Sequence, residues 1–135
     1  MPINKIGMKS YKPIDLQRNM IDRVSNRISQ VTMIDTKDFF NGKNIMKIDF
    51  ENNIMDRLPK IKTASFDIIE TFGVLDKLTR PDLNMAFIDL ARILTPKGWL
   101  VNVYEPTDKV IFTRDCHQVF FTYALDEDFS LFRRK

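Results

Sequence analysis

At 135 residues, 44% of them apolar and 29% charged, the chain has the size and composition of one soluble domain able to bury its own core. Its net charge of +3 comes from 21 basic and 18 acidic residues with the signs interspersed. A nucleic-acid binder gathers its basic residues on a face or stripe, and here the one basic cluster is the terminal Arg133-Arg134-Lys135, which argues against such a partner. The lone Cys116 excludes an intrachain disulfide and fits a reducing, cytoplasmic setting. One cysteine and one histidine also leave no basis for a metal centre. No run approaches the roughly 18–20 apolar residues that cross a bilayer, so no membrane partner is expected. The opening MPINKIGMKSYKP lacks the apolar segment of a secretory signal.

The first periodic segment runs from about Pro13 to Gln30. Ile14, Ile21, Val24 and Ile28 recur at helical spacing, and Pro13 suits a first turn. Val31-Thr32-Met33-Ile34-Asp35 is short and β-prone and reads as a strand closed by an acid. After Asn41-Gly42, Ile45-Met46-Lys47-Ile48-Asp49-Phe50 reads the same way, and Ser65-Phe66-Asp67-Ile68-Ile69-Glu70 as a further strand. Leu83, Phe87, Leu90, Ala91 and Leu94 mark a helix with Pro81 and Asp82 in its first turn and Pro96 and Gly98 past its end. Trp99 to Tyr104 is a strong strand. Asp108 to Phe121 fits either a helix or a strand pair. Thr122–Leu125 and Phe129–Phe132, joined through Asp126-Glu127-Asp128, read as a closing hairpin.

Strands alternating with helices predict a single α/β domain over residues 1–135, Rossmann-like, with a mostly parallel sheet and an antiparallel C-terminal hairpin. In open sheets of this kind ligands bind outside the carboxyl ends of the strands. Asp35, Asp49 and Glu70 each fall at such a predicted end. An acid there can accept ribose hydroxyls or an adenine amine.

Three pieces carry a family resemblance in order. They are Val31 to Asp35; Ile48-Asp49-Phe50 with Leu58-Pro59 and Phe66-Asp67-Ile68-Ile69; and Ala91-Arg92-Ile93-Leu94-Thr95-Pro96-Lys97-Gly98-Trp99-Leu100. Together they resemble a class I S-adenosylmethionine (SAM) methyltransferase, nearer the small-molecule branch. The last piece is close to that family's arginine-to-glycine turn, with Lys97 where its first glycine usually stands. The resemblance implies SAM as cofactor and a small-molecule methyl acceptor. It implies that Asp35 takes the ribose, that Asp49 and the Phe50 backbone take the adenine, and that Glu70, Thr71 and Phe72 line the methyl-donor pocket. Gly7, in Lys5-Ile6-Gly7-Met8-Lys9, stands where the first strand and cofactor loop would be.

The family's glycine-rich loop is absent. The four glycines are Gly7, Gly42, Gly73 and Gly98, and the nearest two lie 25 residues apart, counting from 73 to 98. Small residues in that loop let the backbone approach the cofactor, a contact this sequence must make otherwise. Glu70-Thr71-Phe72-Gly73 replaces the Asn/Asp-Pro-Pro-Tyr motif of base-methylating relatives. The candidate bases are Glu70 and His117. The neighbouring Cys116-His117 does not make a nucleophilic pair by sequence adjacency alone.

The sequence therefore supports a SAM-dependent methyltransferase acting on a small molecule. Its rival is a catalytically degenerate relative serving as a binding or partner subunit. A nucleic-acid module built on the basic tail with Tyr104, Phe120, Phe121 and Tyr123 ranks last, because most of 11 phenylalanines belong to the core. The edge hairpin offers a surface for pairing with another copy.

Overall fold

The structure is a computed structural model and describes residues 3–5, 18–48, 53–103, 114–126 and 129–135. Six strands form one sheet in the order β1-β2-β3-β4-β6-β5: β1 Ile3–Lys5, β2 Ile45–Ile48, β3 Phe66–Phe72, β4 Leu94–Val103, β5 Phe120–Leu125 and β6 Phe129–Arg134. The first four run parallel, and β6 pairs antiparallel with both β4 and β5. The expected parallel sheet with an antiparallel closing hairpin is present.

Helices cover both faces, as a mostly parallel sheet requires. Helices α1 (Arg18–Thr32) and α2 (Thr36–Phe40) lie on one side, where Ile28 and Phe39 bury against Ile45, Ile68, Trp99, Val101 and Leu131. The other side carries α3 (Ile54–Arg57), α4 (Arg80–Ile93) and α5 (Arg114–Val119). There Ile54, Leu83, Phe87 and Leu90 pack on Met46, Ile69, Leu100 and Phe132. Period-two alternation along β4 sends Leu100 to the second side and Val101 and Val103 to the first.

The expected strand over 31–35 is not formed. Val24, Ile28 and Val31 keep the helical stripe going, so α1 continues to Thr32. Met33 then turns left-handed at φ 60°, and the Thr32 hydroxyl donates to the Ile28 carbonyl at 2.7 Å. Ser29 Oγ donates to the Ile34 carbonyl and Thr36 Oγ1 to the Ser25 carbonyl, which fixes the corner between α1 and α2. A β-prone run at a helix end has been overridden by burial of the helix face. Residues 13–17 and 108–113 of the expected elements lie outside the described residues, whereas 114–119 is helical.

At the other end of α4 the chain enters β4 with no intervening loop. The last carbonyls of the helix are capped from a distance: Ala64 N donates to Arg92 O at 2.9 Å and Ser65 N to Ile93 O at 2.8 Å. Arg92 reaches the same connection, donating from Nη1 to the Ile61 carbonyl and from Nη2 to the Leu58 carbonyl. Thr95 to Gly98, expected as the turn after a helix, are instead extra residues in the opening of β4. The register jumps from Phe66↔Leu94 to Ile68↔Trp99.

The Asp67 carboxylate closes that opening. Oδ1 accepts from Thr95 Oγ1 and Oδ2 from the Asn44 backbone N–H, both at 3.0 Å. Lys97 takes a left-handed φ of 65°, which explains why a glycine suits that position. Gly98 is fixed by space. A Cβ there would sit 2.9 Å from the Thr95 carbonyl oxygen and 3.0 Å from that of Asp67, both rigid backbone atoms.

Gly98→Ala should destabilise the fold by about 1–3 kcal/mol through that collision, read as a lowered urea midpoint with an unchanged slope. Asp67→Ala should cost about 3 kcal/mol, two charge-assisted hydrogen bonds each at the low end of about 1.5–3 kcal/mol, by the same measurement.

Candidate functional site

The carboxyl ends of β2, β3 and β4 define the edge where an open α/β sheet binds its ligands. Register pairs Ile48 with Thr71, so the chain leaves β2 and β3 side by side. Asp49 and Phe50 follow β2 in the sequence and lie outside the described residues, as does Gly7. At the end of β3, Gly73 turns left-handed at φ 62°, with its N–H donating to the Val103 carbonyl at 2.9 Å. The connection continues through buried Val74 and Leu75 in a 3-10 turn, Leu75–Lys77.

The side chains expected to line the methyl-donor pocket turn into the protein. Glu70 faces the α1 side of the sheet, where register sets it beside Lys47 on β2. The Lys47 ammonium lies 3.6 Å from the carboxylate, and each side chain is 17% exposed. Burial lifts the Glu70 carboxyl above its ordinary value of 4.5, and the Lys47 charge and hydrogen bond offset part of that rise. Phe72 packs partly buried on the same side.

Thr71 points to the other side and is 1% exposed. Its hydroxyl donates to Asn102 Oδ1 at 2.7 Å, and Asn102 Nδ2 donates to Ser130 Oγ at 3.3 Å. A hydrogen-bonded row therefore crosses β3, β4 and β6 at registered positions in the interior. Neither Asn102 nor Ser130 was singled out from sequence. Each sits at an inward position of an otherwise apolar strand, Leu-Val-Asn-Val and Phe-Ser-Leu-Phe, and that alternation was the available signal. Buried polar groups of this kind are kept because they satisfy one another.

The structure does not bring the remaining predicted site residues to this edge. Asp35 is exposed at the start of α2, with no side-chain capping bond, and it closes no strand. Its neighbours Ile34 and Asp38 line a cavity with Thr95 to Trp99, which places this corner at the amino ends of the strands. His117 is exposed on α5, and its carbonyl accepts from Lys135 Nζ at 2.7 Å. The strand that follows begins with Phe120 paired to Arg134, again at the amino edge. Burial pushes the neighbouring Cys116 thiol up to about 12, which disfavours the thiolate that a nucleophile needs.

Among the described residues, the ends of β2 and β3 are the part of this edge that the sequence reading and the register share. Gly73 bends the backbone left-handed at the end of β3 without a side chain, and β2 ends beside it at Ile48. The Glu70 and Thr71 side chains are committed to internal partners. Among the described residues no group of His, Cys, Asp and Glu could hold a metal, and no helix is long and apolar enough to cross a membrane.

No curated protein matches the chain. Solved structures with a similar arrangement include a provisional DNA modification methylase from Thermus thermophilus, at 16% identity and a TM-score of 0.42 over 66% of this chain and 53% of that one. Its selenomethionine form gives 14% identity, a TM-score of 0.42 and coverages of 66% and 52%. A possible exported protein from Bordetella parapertussis gives 9% identity and a TM-score of 0.45 over 67% and 53%. The chain spans about half the length of these structures. The family described as "Methyltransferase domain" matches residues 2–102, through β4 almost to its end. On that match, over most of its length, the chain belongs to the methyltransferase-domain family.

Proposed function

We propose that this chain binds SAM at the carboxyl ends of β2 and β3 and acts on a small-molecule methyl acceptor. The observation that carries the reading is the family match over residues 2–102 together with parallel β2 and β3 in register, Asp49 following the first and the Gly73 bend ending the second. When bound, SAM supplies an activated methyl group on a sulfonium. The protein's part is to hold and orient: methyl transfer depends mainly on proximity and alignment, which asks for few catalytic side chains. Asp49 accepts hydrogen bonds from the adenosine portion. Glu70 and Lys47 secure the sheet beneath as a half-buried pair. The acceptor preference rests on the missing Asn/Asp-Pro-Pro-Tyr motif after β3.

A second reading, a partner or binding subunit without turnover, is favoured by one fact. The four glycines are scattered, and the Glu70 and Thr71 side chains serve the interior. Calorimetric titration with SAM and S-adenosylhomocysteine tests whether the cofactor is held, and a methyl-acceptor assay then tests turnover. Micromolar binding supports the cofactor assignment, and Asp49→Ala should then weaken it at least about tenfold, the loss of one charge-assisted hydrogen bond of about 1.5–3 kcal/mol. Asp35→Ala, at the opposite edge, should leave affinity unchanged. Absence of binding at millimolar ligand, with a cooperative melt showing folded protein, selects the subunit.

The Glu70 environment gives a pH signature. In the folded chain this carboxyl holds its proton above 4.5, so as pH rises past 4.5 the unfolded chain ionises first and stability falls until the folded group ionises too. Glu70→Gln lacks that proton. The stability of wild type minus that of Glu70→Gln should therefore decrease from pH 4 to pH 8, measured by urea unfolding; an increase would contradict the burial-dominated shift.

A further inference from the structure

A second concave site lies at the opposite edge of the sheet from the proposed cofactor position. Its volume is about 280 Å³, and it is enclosed by the α1–α2 corner, the residue before Asn44, the first residues of β3, the opening of β4 and the end of β6. Ile34, Phe39, Ile68, Pro96 and Trp99 give it an apolar side. Phe39 and Trp99 are in ring contact at 5.5 Å.

Charge on the rim is unbalanced in a particular way. Lys43, Lys97 and Arg133 face two acids, Asp38 and Asp67. Asp67 has one hydrogen bond on each oxygen, from Thr95 Oγ1 and from Asn44 N–H, and so is held as part of the wall. Among the described residues neither Lys43 nor Lys97 has an ion-pair partner. Arg133 lays its guanidinium 5.0 Å from the Trp99 ring centroid and, among the described residues, spends only Nε, on the Lys97 carbonyl at 3.4 Å. Its two terminal amino groups remain as donors in the planar geometry that matches phosphate or carboxylate. Lys97 stands at a left-handed φ of 65°, a conformation that disfavours a residue bearing a side chain.

We propose that this amino-edge cavity is a binding site for a small organic anion, one phosphate or carboxylate group on a compact apolar body. The anionic group meets Lys43, Lys97 and Arg133. The apolar body lies along Ile34, Phe39 and Trp99. A cavity of this size takes a ligand smaller than a dinucleotide or a typical drug. The site shares no residue with the ends of β2 and β3, so it stands whether or not SAM binds there.

Trp99 is the only tryptophan, so its emission reports this site alone. Wild type would be titrated with phenyl phosphate, benzoate and inorganic phosphate, with benzylamine as the oppositely charged control and calorimetry as a second readout. Phenyl phosphate or benzoate should bind saturably below about 1 mM, inorganic phosphate more weakly and benzylamine not at all. Lys43→Gln and Lys97→Gly should each weaken binding about tenfold, the size of one lost charge-assisted contact. Lys97→Gly is compatible with the left-handed backbone, so its melt should match or exceed that of wild type and loss of binding cannot be loss of fold. No saturable signal in either readout up to 10 mM, or affinity unchanged in both variants, overturns the site. Inorganic phosphate binding as tightly as phenyl phosphate overturns the apolar half of the assignment.

Discussion

The Asp67 carboxylate is the constraint from which the parallel part of the sheet takes its alignment. It sits at the start of β3 and holds β2 through the Asn44 N–H and β4 through the Thr95 hydroxyl. The Asn44 carbonyl answers by accepting from both Asp67 N and Ile68 N. A one-residue slip of β3 would turn Ile68 and Ile69 to the wrong faces and exchange two cores, so a charge-assisted tie at the amino edge fixes which face each side chain meets. The extra residues of the β4 opening follow from the same tie. Thr95 must stay beside Asp67 while Trp99 pairs with Ile68, and the chain between them bends through left-handed Lys97 and crowded Gly98.

Most of this fold was legible in the sequence, because the elements that mattered carried strong periodicity or were fixed by neighbouring punctuation. The α4 stripe from Leu83 to Ala91 with Pro81 at its first turn, the β4 core from Trp99 to Val103 and the closing hairpin came out as read, whereas Leu94, expected in the helix, opens β4. The misreading of Val31 to Asp35 has a physical cause. Val and Thr favour strands locally, but Val31 is also the next step of the stripe through Val24 and Ile28, and tertiary burial decided between the two periods. The ending of α4 was hidden for a different reason. Its cap comes from Ala64 and Ser65, some 30 positions back along the chain, and no local signal announces a cap of that kind.

The candidate site was less legible than the fold. A residue at a strand's carboxyl end can face the ligand edge or either side of the sheet, and type alone does not choose. Glu70 found Lys47 across one strand, and Thr71 found Asn102 across another. Each pairing needs the register of two strands, which a single sequence reading does not contain. Asp35 was placed at the end of a strand that does not form, and it stands instead at the start of α2.

The two edges of the sheet divide the polar chemistry of the chain between them. Near the carboxyl edge, polar side chains within the strands are used up internally, in the Lys47–Glu70 pair and the Thr71–Asn102–Ser130 row. Among the described residues, Gly73 is the point at this edge where backbone turns without a side chain. At the amino edge the arrangement is reversed. The acid nearest the sheet, Asp67, is spent on structure, while Lys43, Lys97 and Arg133 keep donors in reserve around an aromatic wall. Cations without an ion-pair partner among the described residues hold an electrostatic preference that water screens only in part, and the preference is for anions. Lysine at position 97, where backbone geometry favours glycine, adds to that imbalance a side chain that the fold itself does not require.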